Sequence, residues 1–66
     1  MDTHDLRVAI GRRIRNIRAG RSLKAFVAAF NSTPPTDIRM DVSSLHRYEA
    51  GKTRISLEKF WKILKM

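Results

Sequence analysis

Apolar residues recur at steps of three and four in three separate stretches of this chain, a period that points to amphipathic helix. Leu6, Ile10, Ile14 and Ile17 make the first stripe, and Leu23, Phe26, Val27 and Phe30 make the second. Leu57, Phe60, Trp61 and Leu64 make the last, with Ile63 at its border. A shorter segment, Asp41 to Lys52, turns Leu45, Tyr48 and Glu49 to one side. Its other side carries Ser43, Arg47 and, nearer the flank, His46. No stretch alternates convincingly as a half-buried strand does, so the expectation is an all-α domain: a compact bundle of four short helices.

The punctuation between the stripes agrees. Thr3 is expected to cap a first helix running to about Ala19, with Asp5 at its positive end and Gly20 at its stop. Ser22 opens a second helix, Leu23 to Phe30, and Asn31 suits its end because Asn tolerates positive φ. The small Ala25, Ala28 and Ala29 would let a neighbouring helix come close. Pro34 and Pro35 forbid helix within residues 32–39, which reads as a passive surface loop. Met40 is placed to pack back onto the following helix as a hydrophobic staple. Asp41 can cap that helix by accepting from the amide of Ser43 or Ser44, and Gly51 can take the left-handed conformation that ends it. Ser56 would cap the last helix, Leu57 to Met66, with Lys59, Lys62 and Lys65 outside. Tyr48 and Trp61 are expected in the core or at its edge.

With 66 residues there is room for one domain, 1–66, and a single small core, so self-association is an expected source of extra stability. The absence of Cys excludes disulfides and thiolate metal sites, and His4 and His46 lie too far apart to read as a ligand pair. No metal and no cofactor is expected. No apolar run approaches the ~20 residues that span a bilayer, and the acidic start lacks a basic n-region, so a cytoplasmic, intracellular protein is expected. Glu58 and Asp37 have no second carboxylate at helical spacing. There is no His-Cys or Ser-His grouping with an orienting partner, and no glycine loop to cradle phosphate. These absences argue against an enzyme and leave no catalytic residue or small-molecule substrate to name. Fourteen Lys and Arg against six Asp and Glu leave a formal charge of +8, which attracts polyanions. Charge alone does not separate DNA from RNA or from an anionic membrane surface. The outer face of the first helix, with Arg7, Arg12, Arg13, Arg15 and Arg18, contributes much of this field.

The chain resembles the Cro/C1-type helix-turn-helix family of phage repressors and related small regulators. The resemblance rests on Ile14-Arg15-Asn16-Ile17-Arg18, on Ser22-Leu23-Lys24-Ala25-Phe26-Val27, and on Val42 to Lys52 with its Tyr48-Glu49-Ala50-Gly51-Lys52 ending. Ser56-Leu57 followed by Phe60 and Ile63 resembles the family's fourth helix, so the match covers most of the chain from Ile10 onward. It implies a lambda-repressor-like fold whose second helix crosses the DNA backbone and whose third lies in the major groove. By position it implies that Val42, Ser43, His46 and Arg47 face base edges, with Arg47 able to donate twice to guanine. Phosphate contacts would come from Ser22, Arg39, Ser44, Lys52, Thr53 and Arg54. Glu49 would pair with Arg18 or Arg15 of the first helix as a structural link. The implied partner is double-stranded DNA, a palindromic operator bound by a homodimer.

Three departures stand out. The turn between the second and third helices is usually three or four residues, and here about eight lie between them. Leu23 and Ala50 stand where relatives often carry a polar Gln and Asn. The sequence stops with the fourth helix, where many relatives continue into a fifth that makes the dimer; Trp61, Ile63, Leu64 and Met66 are then the expected dimer contacts. The leading expectation is a sequence-specific transcriptional regulator that occludes a promoter. A non-specific nucleic-acid binder and an antitoxin-like protein-interaction module are the alternatives.

Overall fold

A computed structural model describes residues 3–66. Its helices are α1 (Thr3–Arg18), α2 (Leu23–Ser32), α3 (Val42–Glu49) and α4 (Leu57–Lys65), and no strand occurs among the described residues. The domain is all-α, as the spacing predicts. Ile14 of α1, Phe26, Val27 and Phe30 of α2, Leu45 and Tyr48 of α3, and Ile63 of α4 make the core, and Met40 joins them from just before α3. Ile10, Ile17, Leu23, Ile38, Ile55 and Phe60 pack against it, while Leu6 at the outer end of its stripe stays exposed.

A close helix–helix approach is made at Gly11 in α1; of the small residues of α2, Ala25 and Ala28 are exposed and Ala29 is half-buried. A Cβ there would lie 2.6 Å from the carbonyl oxygens of both Tyr48 and Glu49. A mid-helix glycine costs about 1 kcal/mol relative to alanine, so a packing demand of this kind explains its use.

The side-chain caps follow local chemistry. Ser22 Oγ accepts from the Ala25 amide at 3.0 Å, and Ser56 Oγ accepts from the Lys59 amide at 3.2 Å. Three helix ends differ from the sequence expectation. Thr3 is already helical rather than a cap. The left-handed residue after α1 is Ala19, with φ of 55°, and not Gly20, because Arg18 is the last helical residue and the reversal falls one step earlier. Asn31 does not end α2. The helix runs on to Ser32, where Thr33 closes it by donating from its amide to the Ala29 and Phe30 carbonyls and from its hydroxyl to Ala29. Ala19→Gly removes the Cβ crowding of a left-handed L-residue at an exposed site, so it should raise stability by about 1 kcal/mol. A thermal melt would register this as a rise of about 4–8 °C.

The largest revision concerns α4. Lys62, expected outside, is 2% exposed, while Leu57, Trp61 and Leu64 are 83%, 59% and 45% exposed. Ile63, expected at the border, is fully buried, and Lys59 is half-buried with Nζ donating to the Tyr48 hydroxyl at 3.2 Å. The helix is therefore turned so that its most apolar side faces away from the core. The physical reason lies in what it meets. Lys62 lays its stem inward and donates from Nζ to the carbonyls of Pro35 and Ile38, at 2.7 and 2.6 Å. Those loop carbonyls need donors, and a leucine turned toward them would supply none.

Residues 33–40 are accordingly an anchored segment rather than a passive loop. Asn31 closes its far end, donating from Nδ2 to the Met40 carbonyl and accepting the Met40 amide at Oδ1, each at 3.0 Å.

Candidate nucleic-acid interface

The recognition-helix candidate, α3, is fixed at both ends by local chemistry. Asp41 is extended, and its carboxylate accepts the Ser44 amide at 2.6 Å. Hydrogen bonds from Ser44, backbone first and then hydroxyl, lower the Asp41 pKa, and the positive charges of Arg47 and Lys59 add to the effect. At the other end Gly51, at φ of 72°, lets its amide reach the Tyr48 carbonyl at 3.1 Å and the Lys52 amide reach the Arg47 carbonyl at 3.0 Å. This is the paired closure that satisfies the last helical carbonyls.

One face of α3 is held. Leu45 is fully buried and Tyr48 nearly so. Glu49 is gripped by α1: Arg18 donates from Nε to Oε2 at 2.8 Å and from Nη2 to Oε1 at 3.0 Å. The same guanidinium donates from Nη1 to the Arg21 carbonyl at 2.6 Å, which ties the α1–α2 turn into the link. The Glu49 hydrogen bonds hold the Arg18 pKa above its ordinary value, outweighing the opposing effect of burial. The expected Arg18–Glu49 pair is present, and Arg15 is not its partner.

The other face is free of such ties. Ser43, His46 and Arg47 are exposed, and Val42 is partly so at the start of the helix. The structure thus brings the four residues expected to read bases onto one open surface. Ser44 is half-buried with its amide and its hydroxyl both turned to the Asp41 carboxylate, so a phosphate would have to draw the hydroxyl away from that cap. Ser22, Arg39, Lys52, Thr53 and Arg54 are all exposed. Ser22 uses its oxygen as acceptor for the cap of α2, which leaves its hydroxyl proton able to donate outward. Thr53 and Arg54 also border an apolar groove of about 270 Å³, formed with Leu6, Ile10, Tyr48 and Phe60.

Sequence reasoning gave Arg15 a share in the general field and an alternative pairing with Glu49, but no place beside the base-facing residues. A smaller groove of about 200 Å³ is lined by Arg15, Arg18, Leu23, His46, Glu49 and Ala50, and it sets Arg15 beside the open side of α3. The signal was its place one turn before Arg18 on the same helix. Arg21 is more committed: it donates to the Ile17 and Arg18 carbonyls and covers the Phe26 ring at 4.9 Å. No group of three or more His, Asp or Glu that could hold a metal occurs among the described residues, and none of their helices is long and apolar enough to cross a membrane. No protein-family model, curated protein or solved structure matches the chain.

Proposed function

We propose that this chain is a sequence-specific double-stranded-DNA-binding regulator of the Cro/C1 helix-turn-helix kind, a small repressor of phage or mobile-element type. The observation that carries the reading is α3 itself. It is capped at both ends and clamped on its inner side by Leu45, Tyr48 and the Arg18–Glu49 pair, while Ser43, His46 and Arg47 lie open. A binder that needs only charge has no use for three side chains held in fixed register, so the alternative of non-specific binding is the weaker one. The antitoxin-like alternative is favoured by no observation of this kind.

In this reading Val42, Ser43, His46 and Arg47 meet base edges, and Arg47 makes the most discriminating contact. Ser22, Arg39, Ser44, Lys52, Thr53 and Arg54 hold phosphates and set register, and the +8 charge makes affinity fall steeply with salt. Two copies would bind half-sites about one helical turn apart and occlude a promoter. Exposed Leu57, Trp61, Leu64 and Met66 supply apolar surface for the pairing; Ile63, being buried, does not. No cofactor or catalysis is required, and an intracellular location beside the chromosome follows from the partner.

Selection from a random duplex library tests this. A palindromic consensus with turn-length spacing is the expected result. Arg47→Ala should then reduce the preference for that consensus over random duplex by about 5- to 150-fold. Equal weakening on every sequence would remove Arg47 from base reading.

A further inference from the structure

Lys62 is a buried ammonium, and no carboxylate among the described residues is bonded to it. Its Nζ donates to the carbonyls of Pro35 and Ile38 and stands 4.3 Å from the centroid of the fully buried Phe30 ring. Two carbonyl oxygens and a π face form a small cage suited to a primary ammonium. The cage joins three parts of the chain: Phe30 from α2, the segment after Thr33, and α4. Burial lowers the Lys62 pKa, as does the charge of Arg39, while Asp37 opposes them. These two are the charged side chains of the segment it holds.

The position of the cage matters more than its presence. Between the end of α2 and the Asp41 cap lie eight residues, and a free linker of that length would let α3 take many orientations against α2. Lys62 removes that freedom at Pro35 and Ile38. Asn31 removes it at Met40, the residue immediately before the cap. Arg39 is thereby held between an anchored Ile38 and a buried Met40, at the start of the recognition helix.

We infer that Lys62 is a positioning residue for DNA sequence discrimination: by locking residues 33–40 into one geometry it sets the angle at which α3 meets the major groove, without touching DNA. This rests on the DNA-binding reading above, deepens it, and makes α4 part of the specificity apparatus. It also accounts for a turn of unusual length in a domain whose recognition depends on a short, stiff one.

Lys62→Met keeps the apolar stem and removes the donors, and it is to be compared with wild type in two arms. In the free protein, amide exchange at residues 36–40 should accelerate at least about tenfold while the amides of α1 and α2 keep their protection. On DNA, preference for the selected site over random duplex should fall about tenfold or more, the scale of one misplaced base contact. Affinity for random duplex and its slope against salt should stay at the wild-type values, since a buried ammonium releases no counterion. A slope reduced by about one unit would place Lys62 on a phosphate and overturn the inference. Unchanged discrimination in a folded variant with a loosened loop would overturn it equally.

If wild type itself shows no preference among duplexes, the DNA reading fails and takes the specificity role with it. The exchange arm then decides the latch alone: unaccelerated exchange overturns that too. Should Lys62→Met fail to fold, Lys62→Ala supplemented with n-propylammonium refills the cage. Recovery of fold and discrimination with propylammonium, but not with tetramethylammonium at equal ionic strength, supports the inference; equal recovery with both opposes it.

Discussion

Gly11→Ala should lower the thermal midpoint by roughly 10–20 °C, the consequence of about 2–3 kcal/mol of overpacking in a domain of this size. The added methyl has nowhere to go. It would sit 2.6 Å from two backbone oxygens and 2.9 Å from the carbonyl carbon of Glu49, and backbone cannot rotate aside as a side chain can. Relief requires α1 to lift from the C-terminal turn of α3, which also pulls on the Arg18–Glu49 bridge. The gain in helix propensity, about 1 kcal/mol, acts the other way and is too small to win. Gly20→Ala is the control, because nothing lies within 4 Å of a Cβ there. Equal melting of Gly11→Ala and wild type would show that the two helices sit further apart than described.

Glu49→Ala should cost about 1.5–3 kcal/mol, since it removes two hydrogen bonds between charged partners and strands a guanidinium whose side chain is only 17% exposed. An exposed pair would be worth far less, about 0–1 kcal/mol, and the 9% exposure of the Glu49 side chain is what separates the cases. A second substitution distinguishes loss of a bond from stranding of a charge. Arg18→Met added to Glu49→Ala should recover part of the stability, because no unpaired ion remains. Chemical denaturation of the two single variants and the double variant measures the coupling. Simple additivity would mean that the pair contributes little to holding α3.

The elements most legible in the sequence are those decided within a few residues. Ser22, Asp41 and Ser56 each bond an amide three residues on, and Gly51 is left-handed for reasons present in its own covalent structure. Arg18–Glu49 spans 31 residues, and only the resemblance to a known arrangement brought the two together. The facing of α4 was not legible. Periodicity identifies which residues of a helix share a side, but not which side the rest of the chain requires. Here the requirement came from the carbonyls of Pro35 and Ile38, 27 and 24 residues away from Lys62. Asn31 misled for a related reason: its fitness for a helix end is local, whereas its role is to bind Met40 nine residues on. For the candidate interface, the division of α3 into held and open faces was readable from its rotation alone.

The outward turn of α4 also has an optical consequence. Trp61 is the chain's sole tryptophan, and at 59% exposed, with Lys65 Nζ 5.2 Å from its ring, it stands on the uncovered apolar side of that helix. Its emission therefore gauges coverage of α4, with little bearing on the integrity of the core, and a blue shift on raising protein concentration would mark the moment another surface lands there.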